Sequence, residues 1–288
     1  MSADLPSQLD ADRYCVIGNP VAHSRSPWIH ARFAALAGDR ISYSAEWVAL
    51  DGFAAGVRAF MAAGGRGCNV TVPFKFEAAA LCTRLTDRAR IAGAANLLRF
   101  EDGEIHGDNT DGAGLVADIE RNAGIPIAGR EVLLVGAGGA SAGVLGPLLN
   151  AGPSRLVVVN RTADKARALV DSHQPLARVA DTLLQALPID ALTKPFDIVV
   201  NATASSLAGS AVPVPPTVLK PGTLALDMMY GPSATTFLAW AQAHGAIARD
   251  GLGMLVEQAA EAFFHWRGLR PPAAQVLAEL RPIVDARV

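Results

Sequence analysis

Glu131-Val-Leu-Leu-Val-Gly-Ala-Gly-Gly-Ala-Ser141 reads as a short apolar strand that ends in a glycine-rich turn, and the small residues from Gly138 to about Asn150 continue it as a helix. Strand, glycine turn and helix in that order are the setting in which a dinucleotide is bound. Gly136 allows the tight turn, and Gly138 lets backbone N–H groups approach a pyrophosphate that rests against the positive end of the helix dipole. Ala137, Gly139 and Ala140 complete the turn, and Ser141 stands where the usual pattern has its third glycine. The next strand, Arg155 to Val159, is expected to end beside the adenosine ribose, where an NAD site carries Asp or Glu. Here Asn160, Arg161 and Thr162 follow, with Lys165 one turn on. A guanidinium, a hydroxyl and an ammonium suit a dianionic 2'-phosphate, so the expected cofactor is NADP(H). The alternative, a merely structural turn, leaves the basic cluster without a purpose.

The chain has 288 residues, 51% of them hydrophobic, which is enough for two domains with separate cores. Its net charge of −2 and dispersed basic residues form no stripe for nucleic acid, so a small-molecule partner is expected. Met1 to Asp12 lack the basic start and apolar core of a signal peptide, which points to the cytoplasm. Two uncharged stretches, Val132 to Ser154 and Ile198 to Leu219, exceed the roughly 20 residues that span a bilayer, but glycines and prolines break both. They read as buried strands leading into turns, and no membrane partner is expected. Cys15, Cys68 and Cys82 have no metal-ligand spacing and read as buried reduced thiols; the six histidines are scattered, and no metal is expected.

Before the glycine turn, strand-like segments (Tyr14 to Gly18, Ile41 to Ala49, Gly67 to Val72) alternate with helix-like ones (Pro27 to Ala37, Gly52 to Ala63, Phe74 to Leu85), which predicts a parallel α/β sheet. A hairpin follows, Ala95 to Phe100 and Glu104 to His106, and then a helix over about Thr110 to Ala123. The second half offers strands at Glu131 to Val135, Arg155 to Val159, Ile198 to Asn201, Thr223 to Asp227 and Ala246 to Ala248, followed by helices Leu252 to Trp266 and Pro272 to Asp285. The expected fold is α/β: an N-terminal α/β substrate domain of residues 1–111 completed by residues 252–288, and a Rossmann-type doubly wound NADP domain of residues 112–251, with a cleft between them. Closure of that cleft on NADP binding is expected. A homodimer and a monomer are both compatible with the sequence.

Gly18-Asn-Pro-Val-Ala-His-Ser-Arg-Ser-Pro27, Asn69-Val-Thr-Val-Pro-Phe-Lys75, Gly107-Asp-Asn-Thr-Asp-Gly112, the Gly136 turn, Asn160-Arg-Thr162, Asp227-Met-Met-Tyr230 and Asp250-Gly-Leu-Gly-Met-Leu-Val-Glu-Gln258 run in one order along the chain. In sequence and spacing they resemble the shikimate dehydrogenase family. The resemblance implies reversible NADPH-dependent reduction of 3-dehydroshikimate to shikimate, in aromatic amino acid biosynthesis. It assigns Ser24 and Ser26 to the substrate carboxylate, although Ser-x-Ser-Pro by itself equally suits an N-cap ahead of Pro27. It makes Lys75 the proton donor to the alkoxide and Asp111 the group that orients Lys75 and a substrate hydroxyl. Lys75 at a helix start stands at the positive end of a dipole, which a carboxylate opposite would offset. Whether Lys75 is the sole acid stays open at this level.

By the same resemblance Asn69, Thr71, Asn96 and Gln258 contact the ring hydroxyls, though Thr71 also suits a plain strand position. Tyr230 holds substrate or nicotinamide, and Met228, Gly251 and Met254 flank the nicotinamide, although methionines there also suit a core. Thr203 belongs to the cofactor side of the cleft. Two departures stand out. The family's Gly-Ala-Val-Asn-Thr reads Gly93-Ala-Ala-Asn-Leu97, and its Asn-Ala-Thr-Ser reads Asn201-Ala-Thr-Ala204. Each removes a hydroxyl near the expected site, which implies altered affinity or substrate range rather than lost chemistry. A quinate or aminoshikimate paralogue and a non-catalytic NADP-sensing protein are the rival readings; Arg161 weighs against the first, and Lys75 and Asp111 weigh against the second.

Overall fold

A computed structural model of the chain describes residues 11–203 and 212–286; Met1 to Asp10 and the Ala204 departure lie outside them. The first lobe is built from β1 (Asp12–Gly18), α1 (Ser26–Ala37), β2 (Ile41–Trp47), α2 (Phe53–Ala62), β3 (Gly65–Val70), α3 (Lys75–Leu81), β4 (Arg84–Leu85), α4 (Asp87–Ala92), β5 (Leu97–Glu101) and β6 (Glu104–Asp108). Its six strands lie in the order β2-β1-β3-β5-β6-β4. The sheet is mixed rather than parallel, because the β5–β6 hairpin sets β5 antiparallel to β3. The hairpin turns on Asp102 (φ 51°) and Gly103 (φ 79°), the left-handed pair that a two-residue hairpin loop needs.

The helix expected over Phe74 to Leu85 ends at Leu81, since Cys82 is extended and Arg84–Leu85 pairs with β6. Thr86 then caps α4, its side chain accepting from Ala89 N–H. Cys15 and Cys68 are buried, face each other across β1 and β3, and are free; Cys82 is only partly buried.

The connecting helix α5 (Asp111–Ala117) runs on into a π-helical turn over Asp118–Asn122. Beyond it come β7 (Glu131–Val135), α6 (Gly139–Asn150), β8 (Arg155–Val159), α7 (Ala163–Val179), β9 (Leu183–Ala186), β10 (Ile198–Asn201), β11 (Leu224–Asp227), α8 (Thr235–Ala243) and β12 (Ile247–Arg249). The strands are all parallel, in the order β12-β11-β10-β7-β8-β9. This is the doubly wound order of a dinucleotide-binding domain, with its switch point between β7 and β10. Alternate residues feed both faces: Val132, Leu134, Leu156 and Val158 pack with Leu115, Leu145 and Leu148, while Leu133, Val135, Val157 and Val159 pack with Val199, Ala225 and Phe237. Each such buried aliphatic side chain contributes about 1.5–3 kcal/mol.

The last two helices, α9 (Leu252–Arg267) and α10 (Ala273–Asp285), pack with the first lobe: Ile29 and Phe33 of α1 share a cluster with Val256, Phe263, Val276 and Leu280. No helix among the described residues is long and apolar enough to cross a membrane.

Candidate active site

Two short helices start beside each other, and each brings one charge. Lys75 is the first residue of α3 and Asp111 the first of α5. Lys75 Nζ donates to Asp111 Oδ2 at 2.5 Å, with side chains only 16% and 7% exposed. The carboxylate is well placed at a helix N-terminus, and it offsets the cost of the ammonium at the other one. α5 reaches this position because it lacks side-chain bulk where it meets α9: a Cβ on Gly114 would stand 2.7 Å from Gln258 N and 2.8 Å from the Met254 carbonyl.

A buried amide network surrounds the pair. Asn96 Nδ2 is shared between Asp111 Oδ1 (2.8 Å), Thr110 Oγ1 (3.0 Å) and Gln258 Oε1 (3.3 Å). Asn96 Oδ1 accepts from Thr110 N–H at 2.7 Å, and Gln258 Nε2 donates to the Leu255 carbonyl. Asn69 Nδ2 donates to the Asn96 carbonyl at 3.2 Å, so strands and helices distant in sequence are tied together. Asn109 supports the loop ahead of α5, donating to the Ala94 carbonyl and accepting from Asp111 N–H.

Ser24 and Ser26 lie at the start of α1. Ser24 Oγ accepts from Ser26 N–H at 3.2 Å, while Arg25, not a serine, occupies the N-cap position. Tyr230 packs against the cluster of α1, α9 and α10. Burial raises its pKa, opposed by the charge of Arg25 and assisted by that of Asp250. Thr71 packs its methyl towards Gly18. His23 is exposed in the Ser24 loop.

Across the cleft, Gly136 adopts φ +113°, and a Cβ there would meet Ala202 and Thr203 at 3.1–3.2 Å. The Phe76 ring lies 3.4 Å from where a Gly139 Cβ would stand, so α3 of one lobe meets the glycine turn of the other. Thr203 Oγ1 donates to Asn201 Oδ1 at 2.8 Å, and Asn201 Nδ2 in turn to Asp227. Gly251 sits against the Met228 carbonyl, and Met254 is buried beside Met228 in the core of the second lobe.

Three family models match the chain: the shikimate dehydrogenase substrate binding domain over residues 16–98, shikimate / quinate 5-dehydrogenase over 119–208 and the shikimate 5'-dehydrogenase C-terminal domain over 251–281. A shikimate dehydrogenase (NADP(+)) of Acidovorax sp. (strain JS42) is 64% identical over 276 residues, 96% of this chain and 98% of its own. The chain belongs to the shikimate dehydrogenase family. Among solved structures, that of an Ael1 enzyme from Pseudomonas putida aligns with a TM-score of 0.87 at 47% identity, covering 94% of this chain and 98% of its own. The shikimate 5-dehydrogenase of Thermus thermophilus, in complex with NADP(H) and shikimate, aligns with a TM-score of 0.83 at 33% identity, covering 94% and 99%.

The groups on the nucleotide side of the chain fit NADP. A Cβ on Gly138 would meet nothing within 4 Å, which leaves the α6 N-terminus accessible, and the buried Ser141 hydroxyl there has no hydrogen-bond partner among the described residues. Arg161 and Lys165 are exposed, with no carboxylate partner among the described residues, as a site for a 2'-phosphate requires. Asn160 folds back, donating to the Thr162 carbonyl at 2.9 Å.

Leu97 shares one sheet row with Asn69 and Asp108 and lines a cavity of about 250 Å³ with His106 and His265. Sequence reasoning missed Thr110 and Tyr43, whose hydroxyl donates to Asn69 Oδ1 at 2.7 Å. Thr110 was legible as the residue before Asp111; Tyr43 carried no local signal. No group of three or more candidate metal ligands occurs among the described residues.

Proposed function

We propose that this chain is an NADP-dependent shikimate dehydrogenase, an oxidoreductase that interconverts 3-dehydroshikimate and shikimate in aromatic amino acid biosynthesis. The observation that carries the reading is the buried Lys75–Asp111 pair, set within the amide network of Asn96 and Gln258. When bound, NADPH supplies the hydride to the substrate carbonyl carbon. As the carbonyl bond becomes an alkoxide, Lys75 Nζ gives that oxygen a proton, and Asp111 holds Lys75 and a neighbouring substrate hydroxyl in line. In the oxidative direction Lys75 receives the proton. A positioned acid of this kind is worth about 10²–10⁴-fold in rate.

Ser24 and Ser26 hold the substrate carboxylate in this reading, and Asn69, Thr71, Asn96, Tyr230 and Gln258 the rest of the ring. Met228, Gly251 and Met254 border the nicotinamide. Gly136 to Ser141 hold the pyrophosphate, Arg161, Thr162 and Lys165 with Asn160 the 2'-phosphate, and Thr203 lies alongside. Residues 1–111 with 252–288 form the substrate domain and residues 112–251 the NADP domain. The packing of α9 and α10 on α1 supports that division. A cytoplasmic enzyme is the reading that accords with biosynthesis, and a monomer serves as well as a homodimer, since every assigned residue comes from one chain.

The test is initial-rate absorbance at the reduced-nicotinamide band with shikimate or quinate against NADP or NAD, all four combinations at matched concentration. Dominance of shikimate with NADP is expected. Dominance of quinate, or of NAD, would replace this reading with a paralogue of different specificity.

A further inference from the structure

We infer that Tyr43 is a positioning residue for the substrate: its hydroxyl and the Asn96 carbonyl together lock the Asn69 side chain so that one amide N–H of Asn69 is left to face a ring oxygen. The inference rests on the proposed function, which places Asn69 against the substrate ring.

The orientation of the Asn69 amide follows from donor and acceptor chemistry. A carbonyl can only accept, so the Asn96 carbonyl at 3.2 Å must face Asn69 Nδ2. Asn69 Oδ1 is then the atom 2.7 Å from the Tyr43 hydroxyl, which must donate to it. One hydrogen of Nδ2 serves Asn96, and the second makes no hydrogen bond of good geometry among the described residues, which in this inference leaves it for a substrate oxygen.

Tyr43 is itself held from two sides. The His30 ring of α1 stacks on it with centroids 4.3 Å apart and planes 5° apart, and Trp266 of α9 lies 6.3 Å away, tilted by 49°. Burial raises the phenol pKa well above the phenolic range, and Ser26 acts in the opposite direction. The phenol hydroxyl stands directly against one proposed substrate contact, Asn69.

His30 is fully buried, and burial pushes its pKa down to about 3, so the plate beneath Tyr43 is uncharged. Neither of its ring nitrogens makes a hydrogen bond of good geometry among the described residues, although the Asn69 side chain is near enough to pull its pKa slightly upwards. Without the phenol hydroxyl, Asn69 Oδ1 loses the donor that fixes its orientation, and the amide is free to turn.

The full-length enzyme is assayed with shikimate and NADP as wild type, Tyr43→Phe, Asn69→Ala and the double variant, with NADP binding by fluorescence titration and the melting temperature as checks on folding. Tyr43→Phe keeps the stacked ring and removes only the hydroxyl. We expect it to raise the shikimate KM about tenfold, as loss of one buried hydrogen bond does, with kcat and the NADP Kd within about twofold. In the Asn69→Ala background the same change is expected to add nothing, because it acts through Asn69. An unchanged KM in an enzyme whose wild type is active, or an equal rise in both backgrounds, overturns the inference alone. A wild type inert towards shikimate overturns the functional reading and this inference with it.

Discussion

At the scale of single residues, chemistry concentrates where two helix N-termini meet. Lys75 has no helix-forming reason to begin α3, and its ammonium opposes the dipole there; Asp111, 2.5 Å away, makes the position tolerable. Replacing Lys75 by Ala is expected to lower kcat by about 10²–10⁴-fold while the NADP Kd stays within about twofold. Steady-state rates with a fluorescence titration of NADP check both halves; equal turnover in variant and wild type would remove Lys75 from the proton transfer. Arg161 is the complementary case on the nucleotide side, exposed and without a carboxylate partner among the described residues. Arg161→Ala is expected to raise the NADP KM by about tenfold or more, as loss of a charge-assisted phosphate contact does, and to leave the NAD KM nearly unchanged. Parallel rises for both cofactors would place Arg161 elsewhere than at the 2'-phosphate. Both residues were legible in the sequence because each stands beside a local punctuation mark, Pro73 for Lys75 and the end of β8 for Arg161.

At the scale of elements, α5 is the piece on which the site depends. It carries Asp111, its glycine at 114 admits α9, and Leu115 together with Ile119 of the π turn joins the core of the NADP side. Gly114→Ala would press a methyl against backbone atoms of α9 that cannot move aside singly. The expected cost is about 1–3 kcal/mol, seen as a fall of several degrees in melting temperature, with a rise in shikimate KM because Gln258 is displaced. A melting curve unchanged by the methyl would show that α5 and α9 pack less closely than this geometry states. The elements that sequence reading missed are two helices of the nucleotide half, α7 and α8, and the short elements. β9 has four residues and β4 two, too few for a period to register, and α4 was absorbed into the helix before it although Thr86-Asp87 is an N-cap signal. The hairpin was legible from Asp102-Gly103, yet its consequence, a mixed sheet, was not. Whether β5 lies beside β3 is a matter of pairing between segments about thirty residues apart.

At the scale of the whole molecule, two bidentate ion pairs tie the end of the nucleotide sheet to helices beyond it. Arg249 of β12 grips Asp118 at 2.6 and 2.9 Å, and Arg281 of α10 grips Asp250 at 2.7 Å through both oxygens. Burial alone would raise the Asp250 pKa. The Arg281 guanidinium outweighs it, aided by the Gly231 and Leu252 N–H groups, and holds the carboxyl below its ordinary 3.8. A folded-state pKa below the unfolded one gives stability that is present above the unfolded value and is lost as pH falls through the folded one. Asp250→Asn is therefore expected to melt below wild type at pH 6, with the gap closing as pH drops below about 4. A gap that stayed constant from about pH 6 to about pH 3 would deny the ion pair its role. Closure of the cleft on NADP binding is expected at this scale too, since the proposed site is assembled from segments distant in the chain. Small-angle scattering with and without NADP should show a smaller radius of gyration in the complex, and identical profiles would exclude closure.

By itself the sequence determined the central strands, the glycine turn and the basic cluster of the nucleotide half. Its strands are buried on both faces and so read as apolar runs, its glycine turn follows one of them directly, and the basic cluster follows the next; each signal is local. It also singled out Lys75 and Asp111, because they sit in distinctive short motifs. Tertiary structure alone decided that these two charges meet, that Asn96 and Gln258 close around them, and that Tyr43, a residue with no motif, orders Asn69 from an edge strand. Those outcomes depend on which distant segments pack together, a choice made by the complementarity of buried surfaces, to which no single stretch of chain holds the key.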